Sequence, residues 1–254
     1  MKKSKMYKFI SKTYNEFKIF IEADTLPDIE IELFAEDNNV YAFFDTDELS
    51  VKEYKIHVNH KLFDCHERYV RSILFHEFTH LYDHIVLEDV FDNDELASMT
   101  DYTEYHASQI EMLSQLYTDI KDIKVKKKAS STIWYANNNV DINHYLIYPL
   151  VDMATITQQD INVMSNLNSN KFAKRFVRAK TCAVYYFAKL DVCSKYIDGT
   201  IIDLFTPEYP FFEDFNELHN ILNNNTLGLK QKAYRLKVWN GYFRNKFIKH
   251  YIKK

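Results

Sequence analysis

Five consecutive residues, His76-Glu77-Phe78-Thr79-His80, place two imidazoles and a carboxylate within little more than one helical turn. Positions i and i+4 share a helix face, so the ring nitrogens of His76 and His80 can converge on one Zn²⁺. Glu77 lies about 100° around the helix from His76, where its carboxylate reaches a water on the metal rather than the metal itself. The spacing therefore predicts metal-assisted hydrolysis with Glu77 as the general base.

The flanking residues predict the helix that this motif needs. Leu74, Phe78, Leu81 and Ile85 follow helical spacing and form an apolar stripe for the core, within a helix predicted from about Glu67 to Leu87. A chance occurrence of the five-residue pattern, with both histidines as ordinary structural residues, is the competing interpretation. An accidental motif need not coincide with a periodic helix, and this coincidence favours the metal site.

A catalytic zinc usually has three protein ligands, so the sequence must supply one more. The metzincin pattern requires a histidine six residues after the motif, and Val86 occupies that position. Glu104 is the favoured third ligand, because it lies on a second predicted helix, from about Asp101 to Tyr117, and the 24 residues after His80 let the chain turn back. The alternatives left open are Glu111 as the reserve, followed by His106, Asp83 and His84.

With HEFTH on one helix and Glu104-Tyr105-His106-Ala107 on the next, after a short sheet, residues 25 to 118 resemble the gluzincin zinc metallopeptidases. The brevity of this half looks most like the compact ImmA/IrrE-type zincins of bacteria and phages. The resemblance implies an α+β minimal zincin core, His76, His80 and Glu104 on Zn²⁺, and cleavage of a specific protein target. Ser108-Gln109-Ile110-Glu111 departs from the family's usual continuation.

The remainder of the chain predicts a second, mostly helical region. We expect a metallopeptidase domain over residues 1–125 and helices over residues 126–254 that bind a substrate or partner or extend the core. Three widely spread cysteines without a CxxC pair, the absence of a signal-peptide pattern and the absence of any long apolar run predict a cytoplasmic protein without a membrane partner. Glycine is too scarce, at 3 residues, for a glycine-rich phosphate loop.

Charge is unevenly distributed along the chain. Between Ser72 and Ile120 there is no Lys or Arg, and this acidic block predicts that a substrate segment carrying positive charge would be favoured. From Lys230 onward there are nine Lys or Arg and no Asp or Glu. The default interpretation of that last helix is an amphipathic helix with a solvated basic face, and nucleic-acid binding is the alternative.

Two further parts of a peptidase are only sketched by the sequence. A strand predicted from Tyr54 to Phe63 could serve as an edge that pairs with an extended peptide substrate. A donor for the oxyanion is also expected, and spacing does not choose among its candidates, which are Tyr102, Tyr105, His106 and His144.

Two functions from different classes fit these features. The first is a zinc-dependent endopeptidase acting on a restricted protein target. The second is a phage or mobile-element binding protein in which the metal site is structural or vestigial and the helical half engages a host protein or nucleic acid. The intact Glu77 favours the enzyme, since a purely structural zinc site needs no base.

Overall fold

The computed structural model describes residues 1–23, 25–37, 40–117, 119–125, 127–158, 169–199, 201 and 203–252. Its fold is α+β, as predicted, with two small sheets and a helical C-terminal region. In chain order the elements are α1 Lys3–Phe20, β1 Glu30–Phe34, β2 Ala42–Phe44, α2 Thr46–Ser50, β3 Lys55–Asn59, α3 Glu67–Glu88, α4 Asn93–Ser98, α5 Thr100–Leu116, α6 Ile120–Lys124, β4 Thr132–Tyr135, β5 Asn138–Asp141, α7 Ile142–Gln158, α8 Ser169–Tyr196, α9 Phe212–Leu222 and α10 Leu229–Ile252.

The chain divides into two compact units, each built from several segments. The first comprises Met1–Asp89, His106–Ile142 and Val192–Gly199, and the second comprises Val90–Tyr105, Asn143–Asp191 and Thr200–Lys254. The divisions fall inside α5 and α8, so each of these helices continues from the second unit into the first. The predicted domain boundary at residue 125 stays a prediction. Among the described helices, none is both long enough and apolar enough to span a bilayer.

The core of the first unit forms where α1 packs on α3. Phe17 of α1 is fully buried and lies with its ring centroid 5.5 Å from that of Phe75 and 5.6 Å from that of Phe78. Tyr14, one turn earlier, lies 4.8 Å from Phe78. Aromatic pairs at such spacings contribute beyond the apolar area that they bury. The face of α3 opposite the histidines is therefore held rigidly, and this fixes the direction in which the motif points.

The three-stranded sheet of this unit has the order β1-β3-β2 and is mixed. β1 pairs parallel with β3, and β2 pairs antiparallel with β3. The prediction that the strand around residues 54–63 is an edge is therefore wrong, because β3 is hydrogen-bonded on both sides. An extended substrate cannot add to it, and the edges of this sheet are β1 and β2.

The predicted strand from Tyr54 to Phe63 also ends early, at Asn59. The buried Asn59 amide donates to the carbonyls of Glu36 at 3.0 Å and Val40 at 3.2 Å, and its oxygen accepts from the backbone NH of Lys61 at 3.1 Å. Such side-chain bonds compete with the sheet ladder. The chain turns here into a short 3₁₀ helix over His60–Asp64 that leads to α3.

Residues 132–141, which the sequence assigns to the mostly helical region, form the hairpin β4–β5 instead. The sequence also predicts an exposed connection over Lys121–Lys128. The described lysines of this segment are exposed, and the segment contains most of α6, whose first turn is capped by the Asp119 side chain at 2.9 Å from the backbone NH of Lys121. The sequence further predicts a helix from Asp141 to Met164, and the end of that range lies outside the described residues.

Candidate metal centre

Helix α3 runs antiparallel to the C-terminal part of α5, and arginines fix the pairing. Arg68 donates to the carbonyl of Gln115 at 2.7 Å, and Arg71 donates to the carbonyl of Ser114 at 2.9 Å. The last carbonyls of a helix have no partner within it, and a cation there also complements the helix dipole. Both guanidinium groups therefore bind the end of α5 and set its position along α3.

The hairpin β4–β5 reinforces this helix pair within the first unit. The Gln115 amide donates to the carbonyl of Trp134 at 2.9 Å and to the hydroxyl of Ser72 at 2.8 Å, while its oxygen accepts from the Trp134 NH at 3.2 Å. The Trp134 ring also stacks on His66, just before α3, with centroids 3.5 Å apart. Both the NH₂ group and the oxygen of the Gln115 side chain are therefore hydrogen-bonded, and they link the hairpin, α3 and α5.

The three predicted ligands come together on these two helices. One ligand atom from each of His76, His80 and Glu104 lies within 4.8 Å of the other two. The Nε2 atoms of the two histidines are 3.1 Å apart. Two imidazole nitrogens bound to one tetrahedral zinc, at about 2.0–2.1 Å each, would be separated by about 3.3 Å. The donor set, two imidazoles and a carboxylate, therefore fits Zn²⁺ in both chemistry and spacing.

Glu111, the reserve ligand, occupies a different position around His76. Its Oε2 atom lies 3.2 Å from His76 Nδ1, whereas Nε2 is the atom that faces His80. Both side chains are buried. A carboxylate that accepts the Nδ1 proton leaves the Nε2 lone pair available to a metal and fixes the ring's orientation. Glu111 is therefore placed to orient His76 rather than to share an ion with it.

Glu104 accepts a hydrogen bond from a residue that the sequence did not indicate. The Tyr185 hydroxyl of α8 donates to Glu104 Oε2 at 2.9 Å. Tyr185 and Glu104 are both half-buried, so this charge-assisted bond is partly protected from water. No local signal marks Tyr185, because it stands 81 residues from its partner. Its hydroxyl nevertheless reaches a candidate ligand directly.

Most of the remaining candidates have other partners. His106 Nδ1 lies 2.8 Å from Asp83 Oδ1. Burial raises the pKa of the Asp83 carboxyl, and the hydrogen bond from His106 partly offsets that shift. The Tyr105 hydroxyl donates to Asp191, and burial beside that carboxylate raises the pKa of Tyr105. These bonds engage His106 and Tyr105, which weakens both as oxyanion donors, while the ring of His144 contacts Tyr148 at 5.7 Å.

Members of the acidic block are extensively paired within their own units. Besides Asp83 and Glu111, Asp101 accepts a salt bridge from Lys180 at 2.8 Å and a bond from the Asn240 amide at 2.9 Å. Asp92 caps α4. Paired carboxylates contribute less to a long-range negative field than free ones. The preference for a positively charged substrate segment stays a prediction. Fewer unpaired carboxylates support it than the sequence of the acidic block suggests.

Glu77 follows His76 directly in α3 and is half-buried. A general base must come within hydrogen-bond reach of the proton that it accepts, and Glu77 is one residue away from the predicted ligand His76. No protein-family model, curated protein or solved structure matches the chain. Support for a metal centre therefore comes from the contacts and distances of the side chains described above.

Proposed function

We propose that this protein is a zinc-dependent metallopeptidase of the gluzincin type, with His76, His80 and Glu104 as the zinc ligands. The observation that carries the proposal is the convergence of these three donors, all within 4.8 Å of one another on two well-anchored helices. The cluster combines the HExxH spacing with a carboxylate from a second helix. A structural zinc site usually uses four protein ligands, whereas three leave a position for the reaction.

The proposed chemistry divides among a few side chains. A bound Zn²⁺ would polarise the scissile carbonyl and lower the pKa of the attacking water towards neutrality. Glu77 accepts the proton from that water and passes it to the leaving amine. Glu111 keeps the proton of His76 on Nδ1, and the Tyr185 hydroxyl holds the Glu104 carboxylate in one orientation. Each of these two supporting roles requires only the contacts that the residues already make.

The first test of the proposal is the metal content of the purified chain. Inductively coupled plasma mass spectrometry should find about one zinc per chain, and Glu104→Ala should lose most of it. Glu88→Ala is the matched control, because Glu88 is a partly buried α3 glutamate about 18 Å along the helix from His76. Equal zinc in all three proteins, or none in the wild type after zinc is supplied, would contradict the assigned ligands.

The second test concerns catalysis. The zinc-loaded protein is incubated with a peptide mixture prepared from a whole proteome, and new termini are identified by mass spectrometry. Glu77→Gln should retain zinc and lose at least about 100-fold in cleavage rate, because it keeps the shape of the base and removes its proton affinity. Unchanged cleavage by Glu77→Gln would exclude the proposed base. Zinc binding without any cleavage would favour the alternative, a binding protein with a structural metal.

A further inference from the structure

An aromatic groove in the second unit is not used by the proposed chemistry. It lies along α9 and α10, has a volume of about 590 Å³, and is lined on the α10 side by Tyr234, Val238 and Tyr242. These side chains are 70%, 54% and 57% exposed. Large aromatic side chains that protrude from a helix in this way gain nothing from the core. The three positions follow at four-residue spacing and line one groove, and a contiguous exposed apolar patch of this kind marks an interaction site.

The groove has a well-ordered floor. Trp239 is 2% exposed and donates its indole NH to the carbonyl of Asp214 at 2.8 Å. Its ring stacks on Phe243 with centroids 4.7 Å apart, and Phe243 packs on Phe215 at 5.1 Å. α9 and α10 are therefore firmly packed beneath the groove, and the exposed tyrosines stand on a rigid base.

Helix α10 carries basic residues and no Asp or Glu, and one of its cations, Arg235, lines the groove itself. Of the basic residues from Lys230 onward, Lys232 is buried and donates to the carbonyl of Leu222 at 2.6 Å, and Lys246 pairs with Asp214 at 2.7 Å. The ammonium groups of these two lysines are therefore engaged in contacts within the second unit. The exposed cations of α10 are Lys230, Arg235, Lys237, Arg244 and Lys249.

We propose that the face of α10 carrying Tyr234, Val238 and Tyr242 binds single-stranded nucleic acid. Proteins that bind single strands combine a positively charged track for phosphates with aromatic rings on which bases stack. Tyr234 and Tyr242 are eight residues apart, about 12 Å along the helix, which is the length of about three stacked bases. The groove wall adds Asn220 of α9, whose amide can both donate to and accept from base edges, and Asn224, which follows α9. The Asn224 oxygen accepts from the Thr226 backbone NH and hydroxyl, so its NH₂ group is the part that can donate to a base.

One residue in the groove opposes this assignment and sharpens the test. Glu217 of α9 lines the same groove and is exposed, so its negative charge should repel a phosphate backbone. Lys230, Arg235 and Lys249, the exposed cations on the tyrosine side of α10, should outweigh this single charge. If the occupant is a nucleic acid, Glu217→Gln should strengthen binding.

The experiment uses the full chain and a fluorescein-labelled single strand of about 16 nucleotides, oligo(dT) or oligo(U), measured by fluorescence anisotropy. Lys230, Arg235 and Lys249 lie within about 80° of Val238 around the helix, whereas Lys237 lines a separate pocket with Asp101 and Glu104. If these three cations contact phosphates, log K should fall with log salt with a slope of about −2.1. Affinity should then drop about 20-fold between about 50 mM and about 200 mM salt. The same strand annealed to its complement should bind more weakly, since its bases cannot reach the tyrosines.

Variants separate stacking from general charge. Tyr234→Ala and Tyr242→Ala should each weaken binding at least about fivefold, because each removes a stacking platform. Tyr7→Ala is the matched control, since Tyr7 is 40% exposed on α1 among the exposed Lys3, Lys5 and Lys8. All three tyrosines are exposed, so each variant should keep the wild-type thermal midpoint.

Several outcomes would overturn the proposal. They are the absence of binding at the lowest salt, equal losses in Tyr7→Ala and the α10 variants, and unchanged affinity in both α10 variants. Equally tight binding of poly-glutamate would assign the surface to an acidic protein partner instead. Glu77→Gln should bind the strand as the wild type does, so the result is independent of the peptidase proposal.

Discussion

Replacement of Glu111 by glutamine is the sharpest test of how the metal centre is built. Glu111 is 8% exposed, and its Oε2 atom lies 3.2 Å from His76 Nδ1. Glutamine keeps the size of the side chain and an oxygen that can accept the same proton, but removes the negative charge. The substitution therefore isolates the electrostatic contribution of Glu111 to the basicity and orientation of His76.

The expected magnitude follows from that geometry. Loss of a carboxylate that holds a ligating histidine typically weakens metal binding 10- to 100-fold, or about 1.4–2.7 kcal/mol. Because the glutamine amide oxygen can still accept a hydrogen bond, we expect Glu111→Gln to lie near the tenfold end. Glu111→Ala should lie nearer to 100-fold, since it removes the hydrogen bond to His76 Nδ1 altogether and allows the ring to turn.

Zinc affinity would be measured by competition with a chromophoric chelator, beside urea unfolding of the metal-free proteins. The control Glu88→Gln also removes one negative charge, but from a position on α3 about 18 Å along the helix from His76. Its zinc affinity should match that of the wild type. Unchanged affinity in Glu111→Gln and Glu111→Ala would refute the orienting role. Complete loss of zinc in Glu111→Ala, with tight binding kept in Glu104→Ala, would make Glu111 the third ligand.

Three further predictions concern other sites. Tyr185→Phe should weaken zinc binding about tenfold without lowering the unfolding midpoint, because it removes only the hydroxyl that donates to Glu104; wild-type affinity would count against that role. Gly241→Ala should raise the free energy of unfolding, measured in urea, by about 1 kcal/mol. Gly241 is exposed inside α10, and a Cβ added there meets no atom within 4 Å. A loss of stability would instead show that the new methyl group makes an unfavourable contact. Burial raises the pKa of Cys182 to about 11 from 9.0. In a variant with Cys65 and Cys193 replaced by serine, alkylation by iodoacetamide at pH 8 should therefore be about 100-fold slower than for an ordinary thiol, and its rate should rise with pH up to about 11. A rate at pH 8 typical of a free thiol would refute the raised pKa.

The parts of the centre that depend on local sequence could be predicted. The motif helix was expected from Glu67 to Leu87 and extends over Glu67–Glu88, and the second helix was expected from Asp101 to Tyr117 and extends over Thr100–Leu116. Helical periodicity is encoded within a few turns, so both the helices and the shared face of His76 and His80 follow from residues near in sequence.

The parts that depend on distant contacts could not be predicted in the same way. The central position of β3 depends on which strands pair with it, and alternation along one strand does not contain that information. Its early end depends on Asn59 finding the carbonyls of Glu36 and Val40. The contact of Tyr185 with Glu104 depends on α8 being placed beside the start of α5, which is distant from it in sequence.

Glu104 and Glu111 show why the spacing left two candidates for one ligand. They are seven residues apart, so they lie on the same face of α5 about 10 Å apart along its axis, and periodicity cannot separate them. The His76 ring distinguishes the two glutamates, because its two nitrogen atoms point in different directions. With Nε2 of His76 directed at His80 and Nδ1 at Glu111, the antiparallel α5 brings Glu111 to the outer nitrogen and Glu104, two turns earlier, to the side of the histidine pair. Under the proposed function, the register that Arg68 and Arg71 impose at the end of α5 is what makes Glu104 the ligand and Glu111 the residue that supports His76.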